Sequence, residues 1–203
     1  MARMTFVVPS TFPLAGRLIR NVRPTPLAMN LDRLYNESLA LLEGRGIRKD
    51  EQRAFEINRT AAIEGHADAI LAMGWFYVNG VGVERSIIDA ITWYRRSARR
   101  GEPRAMFSLG FIAYEQKDWD DAMTWLRRAA EAGHHRSLFW LGKLHWRGRA
   151  ATQSRSEAMR LIHLAANKKV PDATRALRWL AALNKAAKPR LPVYEVTNSG
   201  SQK

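Results

Sequence analysis

The chain has 203 residues, 46% of them hydrophobic, no cysteine, a formal net charge of +14 and a pI near 10.8. That length and apolar content exclude a wholly disordered chain, and the lack of cysteine excludes disulfide frameworks, thiol catalysis and thiolate metal sites. The charge favours anionic partners (nucleic acid, anionic lipid or acidic protein surfaces) without specifying a fold, and no apolar run approaches the ~18 residues of a membrane helix.

Residues 1–28 read as a basic N-terminal arm. No Asp or Glu occurs before Asp32, while Arg3, Arg17, Arg20 and Arg23 do. Acid-free, Arg-bearing starts resemble organelle transit segments, and the same composition fits a flexible arm. Pro9 and Pro13 interrupt the apolar stretch from Met4 to Leu14, which weakens a secretory reading. A cytoplasmic location is expected, with targeting or export through the arm as the alternative.

From residue 29 to residue 187 an internal repeat organises the chain. Four segments align without gaps, beginning at Ala54, Ala90, Ala122 and Ala158, with spacings of 36, 32 and 36. Each reads as a helix with small residues at its eighth and ninth positions. The first three end in Gly65, Gly101 and Gly133, at the place where glycine closes helices in the left-handed conformation. A second helical stretch precedes each segment. Ile70, Met73, Gly74 and Tyr77 recur as Met106, Leu109, Gly110 and Ala113, then as Leu138, Leu141, Gly142 and His145. The i, i+3, i+4, i+7 spacing puts each set on one helix face. The glycine is expected to let the paired helix approach closely, with Ala61, Ala62, Ala98, Ala129, Ala130, Ala165 and Ala166 as small residues opposite it.

The first unit has Ser38 at the glycine position. Its turn residues Gly44, Gly46 and Ile47 match Gly80, Gly82 and Val83, whereas the third turn is shortened to Lys117–Asp121. A last helix, from about Asp172, repeats the first-helix pattern through Ala173, Leu177 and Ala181 and reads as a terminal cap. Residues 188–203, polar with two prolines, read as a tail.

The stretches Met73-Gly-Trp-Phe-Tyr-Val-Asn-Gly-Val-Gly-Val83 and Ala90-Ile-Thr-Trp-Tyr94 resemble Sel-one-like repeats, a branch of the tetratricopeptide-type helical solenoids. The resemblance spans about Leu31 to Ala182. It implies an all-α, right-handed solenoid of stacked antiparallel helix pairs, about four repeats plus a C-terminal capping helix. It also implies an adaptor or scaffold role, with no single reaction and no cofactor.

In such a solenoid the first helix of each repeat lines the inner curve. Residues off the paired face then form a groove: Tyr35, Trp75, Phe111, Tyr114, Lys143, Trp146, Arg175 and Trp179, flanked by Leu39, Leu71, Val78, Phe107 and Phe139. Arg104, Arg136, Arg147 and Arg178 add charge toward its C-terminal end. Aromatic residues interleaved with cations suit a peptide or partner protein that is acidic and carries apolar anchors. Phe107 and Phe139 also suit packing against the next repeat.

Arg59, Arg95 and Arg127 recur at one position of the second helices, with Arg96 and Arg128 beside the last two. Helices packed ~8–10 Å apart would align them as an outer ridge. Such a ridge can follow a phosphate backbone or an anionic membrane, or serve simply as a solvated face.

No catalytic set is found. No two of the five histidines have the i, i+4 spacing of a helical zinc site, and there is no nucleophile elbow, phosphate loop or dinucleotide fingerprint. Gly80-Val-Gly82 follows a helix, not a strand, so it carries no nucleotide signal. No metal, cofactor or small-molecule substrate is therefore expected, and the chain reads as a non-enzyme.

Overall fold

A computed structural model describes residues 26–149 and 154–186, with side chains over 30–149 and 154–178. Most of the arm and all of the tail lie outside the described residues. The elements are α1 (Pro26–Glu43), α2 (Glu51–Ile63), α3 (Ala67–Asn79), α4 (Ile87–Arg99), α5 (Pro103–Glu115), α6 (Trp119–Glu131), α7 (His135–Trp146), α8 (Arg155–Asn167) and α9 (Pro171–Ala186). Among the described residues there are no strands. Each helix packs on its chain neighbours, so α1/α2, α3/α4, α5/α6 and α7/α8 form four pairs and α9 caps the stack.

Local chemistry fixes the ends of these helices. The second helix of each pair starts on a short polar side chain that accepts a backbone N–H three residues on. Asp50 accepts from Arg53 at 3.0 Å, Ser86 from Asp89 at 3.2 Å, Asp118 from Asp121 at 3.1 Å and Ser154 from Glu157 at 3.1 Å. Gly80 closes α3 in the left-handed conformation (φ 65°), its N–H donating to the Phe76 carbonyl at 2.8 Å. In the shortened third turn Lys117 takes a left-handed φ of 64° itself. A single non-glycine residue can hold that conformation when its surroundings fix it.

The paired faces are those the repeat marks out, but their packing differs from the expectation of small residues facing small ones. A side-chain carbon added at Gly74 would lie 2.4 Å from the Tyr94 ring. One at Gly110 would lie 2.8 Å from Leu126, and one at Gly142 would lie 2.8 Å from Ile162. Tyr94, Leu126 and Ile162 share one repeat position. Each glycine is therefore a hole that receives a large knob from the partner helix. The alanines act elsewhere. Ala61 and Ala62 cluster with Ala69, Ala98 with Ala105, and Ala165 with Ala173, where a second helix meets the first helix of the next unit.

Side-chain contacts place the first helices beside one another in a layer. Asp68 of α3 pairs with Arg104 of α5 at 2.6 Å, and Arg136 of α7 with Asp172 of α9 at 3.0 Å. Trp140 of α7 packs edge-on to Phe111 of α5. The second helices α2, α4, α6 and α8 form the other layer. There Arg96 of α4 and Arg100, which caps it, donate to the carbonyls of Ile63, the last residue of α2, and of Gly65 just beyond it, at 3.3 Å and 2.7 Å. Cations suit that end of a helix because its last carbonyls lack intrahelical donors.

Candidate functional site: the aromatic face of α5 and α7

The free face of the first-helix layer is richest in rings where α5 and α7 lie side by side. Phe107, Phe111 and Tyr114 run down α5 at i, i+4 and i+3 steps, so their rings follow one stripe. Phe111 stacks between Phe107 (centroids 6.1 Å apart) and Tyr114 (6.5 Å). From α7, Trp140 meets both Phe111 and Tyr114 edge-on at 4.9 Å. Trp119, at the start of α6, meets Tyr114 edge-on at 5.5 Å. Edge-to-face rings at these spacings add to the stabilisation that burial alone provides.

Two cations stand on this aromatic floor. Lys143 Nζ lies 4.2 Å from the Trp140 ring centre and 5.2 Å from that of Tyr114. Arg147 Nη1 donates to the Tyr114 hydroxyl at 2.8 Å. Neither forms an ion pair among the described residues. Burial, and then the neighbouring Arg147, pull the Lys143 ammonium below its ordinary pKa. Burial pushes the Tyr114 phenol up. An ammonium destabilised in this way is stabilised by any carboxylate brought beside it.

The remaining expected groove residues do not join this cluster. Tyr35 is 8% exposed and meets the His66 ring in a tilted contact at 4.7 Å, so it packs α1 onto the start of α3. Trp75 is half-buried against the first core cluster and meets Phe76 edge-on. Trp146 is half-buried, with the Arg155 guanidinium 5.4 Å from its ring. Arg175 is exposed on α9, and the Trp179 side chain lies outside the described residues. Arg104 and Arg136 are held by Asp68 and Asp172, which offsets much of the basic character expected of them. Leu71 and Val78 are buried. Phe107, by contrast, does join the stripe through Phe111, while its other side stacks on the His134 ring at 4.4 Å, which is packing against the next unit. Thus Phe111, Tyr114 and Lys143 come together, and Trp140 at their centre escaped the sequence reading. Its repeat equivalents are Asn36, Ala72, Ser108 and Ala176, so periodicity alone marks the position as small or polar. A tryptophan among them was the available signal.

The ridge residues Arg59, Arg95 and Arg127 are exposed, and none forms an ion pair among the described residues. Their neighbours Arg96 and Arg128 lie over the rings of Trp93 and Trp125, at 5.3 Å and 4.6 Å. Of the expected turn roles for histidine, His66 caps α3, accepting the Ala69 N–H on Nδ1 at 3.0 Å. His134 at the equivalent position makes no backbone cap and instead pairs with the Ser137 hydroxyl at 2.9 Å. No helix among the described residues is long and apolar enough to cross a membrane.

Stacked antiparallel helix pairs with a register of 36, 32 and 36 define a helical repeat solenoid of the tetratricopeptide class. The chain belongs to the Sel1 repeat family: four consecutive copies of the repeat match, at residues 36–66, 67–102, 103–134 and 135–170. Proteins of this family generally act as non-catalytic scaffolds in protein–protein interaction. Over 74 residues the chain is 36% identical to HRD3A of Arabidopsis thaliana, an ERAD-associated E3 ubiquitin-protein ligase component. That match covers 36% of this chain and only 10% of the plant protein. The fold superposes on a Sel1 repeat protein from Oxalobacter formigenes with a TM-score of 0.72 and 26% identity, covering 79% of this chain and 68% of that one. It also superposes on a protective antigen of uropathogenic Escherichia coli, with a TM-score of 0.67 and 23% identity, over 77% of this chain and 34% of the antigen.

Proposed function

We propose that the protein is a binding adaptor whose α5–α7 face holds a partner peptide carrying an acidic group beside an apolar anchor. The observation that carries this reading is the pair Lys143 and Arg147, two cations that form no ion pair among the described residues, standing on an aromatic floor. The floor offers apolar area to an anchor side chain, and the cations offer charge-assisted hydrogen bonds to a carboxylate. Such a partner would also raise the depressed Lys143 pKa.

The test is a peptide array that varies acidic and aromatic positions independently, followed by calorimetry on the best sequence. Lys143→Glu with Arg147→Glu should weaken binding at least tenfold while leaving the thermal melt within a few degrees. Equal affinity in wild type and this double variant sinks the reading. The exposed Arg59, Arg95 and Arg127, none in an ion pair among the described residues, favour a second reading, association with nucleic acid or an anionic membrane. Under it, charge reversal of those three abolishes binding to DNA or anionic vesicles, and affinity falls steeply with salt.

A further inference from the structure

On the opposite layer a cleft of about 340 Å³ opens between α6 and α8, floored by α7. Met123, Ala130, Leu138, Leu141 and Leu161 form its apolar wall. Arg127, Glu131, His145, Glu157 and Arg160 form its charged rim. The internal repeat shows what normally occupies this place. Leu161 stands at the repeat position of Trp93 and Trp125, and Leu164 at that of Arg96 and Arg128. Trp93 of α4 packs back onto the core cluster of the preceding unit, and Trp125 of α6 does the same one unit later. Each indole carries a guanidinium on its face. The fourth unit has neither the indole nor its covering cation: the smaller Leu161 is buried in the cluster of the preceding unit, the cleft opens beside it, and Leu164 is exposed.

We infer that this cleft is a docking site for a partner protein segment that inserts a tryptophan side chain flanked by a carboxylate. The indole is argued from the two equivalent places in this chain, where that side chain completes the junction between units. The carboxylate is argued from the rim. Glu157 is held by Arg160 through two bonds of 2.8 Å, which leaves Arg127 and, one turn further along α6, Glu131 exposed and without an ion pair among the described residues; Arg127 is the cation the rim offers to a partner's acid. Arg127 can lie over an inserted ring as Arg128 lies over Trp125, and can pair with an acid beside it. The site is on the layer opposite the α5–α7 face and does not depend on that reading.

The probe is the capped dipeptide acetyl-Asp-Trp-amide, titrated into the full chain labelled with 13C at its methionine methyls. Met123 lies in the cleft wall, and Met73, buried between α3 and its neighbours, is the internal reference. The expected result is a saturable ring-current shift of the Met123 methyl with Met73 unmoved. Acetyl-Asp-Leu-amide should produce less than a tenth of the shift at the same concentration. Leu161→Trp, which restores the residue of the two preceding units, should abolish the titration and raise Tm. Arg127→Glu, at an exposed position that leaves the wall intact, should weaken acetyl-Asp-Trp-amide several-fold and leave acetyl-Lys-Trp-amide unweakened. An unmoved Met123 overturns the inference, as does equal binding by Leu161→Trp or by the leucine dipeptide. Arg127→Glu with unchanged affinity for both tryptophan peptides overturns the carboxylate.

Discussion

At the scale of single residues the second glycine of the Gly-x-Gly turn is not equivalent between units. Gly46 and Gly82 both have left-handed backbones, φ 73° and 65°. A side-chain carbon at Gly46 would meet nothing within 4 Å, whereas one at Gly82 would lie 2.1 Å from the Glu51 carbonyl oxygen and 2.9 Å from the Gln52 Cα. The second turn thus rests directly on the first residues of α2. Gly46→Ala should cost about 1–2 kcal/mol, the ordinary penalty for a left-handed L-residue. Gly82→Ala should cost at least twice that, because backbone cannot yield as a side-chain tip can. Thermal denaturation of the two variants side by side measures the gap, and equal losses would show that the turn stands clear of α2. Ser38 illustrates the reverse situation. Its hydroxyl is buried without a hydrogen bond, in the unit where serine replaces the glycine of the others. Ser38→Ala should stabilise by about 1 kcal/mol by removing that desolvation penalty, and a lower Tm in this variant would reveal a hidden partner.

At the scale of elements, the helix pairs were legible in the sequence because a repeat displays the same physical constraint several times. The glycine at 74, 110 and 142 announced a close approach, and the approach is there. What fills the hole was not legible. Tyr94, Leu126 and Ile162 share only size, and one repeat position tolerates any knob that fits. The ring cluster was half legible for the same reason. Phe111 and Tyr114 lie where the period places them, while Trp140 breaks the local pattern and takes its role from contacts across two helices. Those contacts depend on the angle between α5 and α7, which no single-chain periodicity encodes. The pairing makes a sharp demand on Gly110. A leucine there would run into the Leu126 side chain and backbone, at 2.8 Å and 3.0 Å. Overpacking of this kind costs about 1–3 kcal/mol or more. Gly110→Leu should therefore lower Tm by several degrees, since each kcal/mol shifts a chain of this size by roughly 2–4 °C. An unchanged melt would mean that α5 and α6 are paired through a different face.

At the scale of the whole molecule, the junctions between units are held by different physics, and one of them is sensitive to acid. Ion pairs join α3 to α5 and α7 to α9, through Asp68–Arg104 and Arg136–Asp172. Between α5 and α7 the same ladder position brings Arg104 and Arg136, two like charges. That junction relies instead on rings, including the His134 imidazole stacked on Phe107 at 4.4 Å. Burial, the Arg136 guanidinium, His135 and Arg104 lower the His134 pKa to about 4, and Glu102 opposes them only in part. The unfolded chain takes up this proton near pH 6.5, so between about pH 6.5 and 4 the unfolded state binds more protons than the folded one. Stability from this group is therefore complete above pH 6.5 and falls as acid is added, by an amount on the order of 3 kcal/mol across the window. In a solenoid, stability is a sum over units and the junctions between them, so weakening one junction uncouples the units on either side. We expect melts to lose cooperativity as well as Tm between pH 7 and pH 4.5, with α7–α9 separating from α1–α6. His134→Asn, which keeps a polar side chain at the start of α7 without a titrating ring, should flatten this pH dependence even if it lowers Tm at pH 7. Hydrogen exchange at pH 5 should show the earliest loss of protection in α7. Parallel pH profiles for wild type and His134→Asn would place the acid sensitivity in another group.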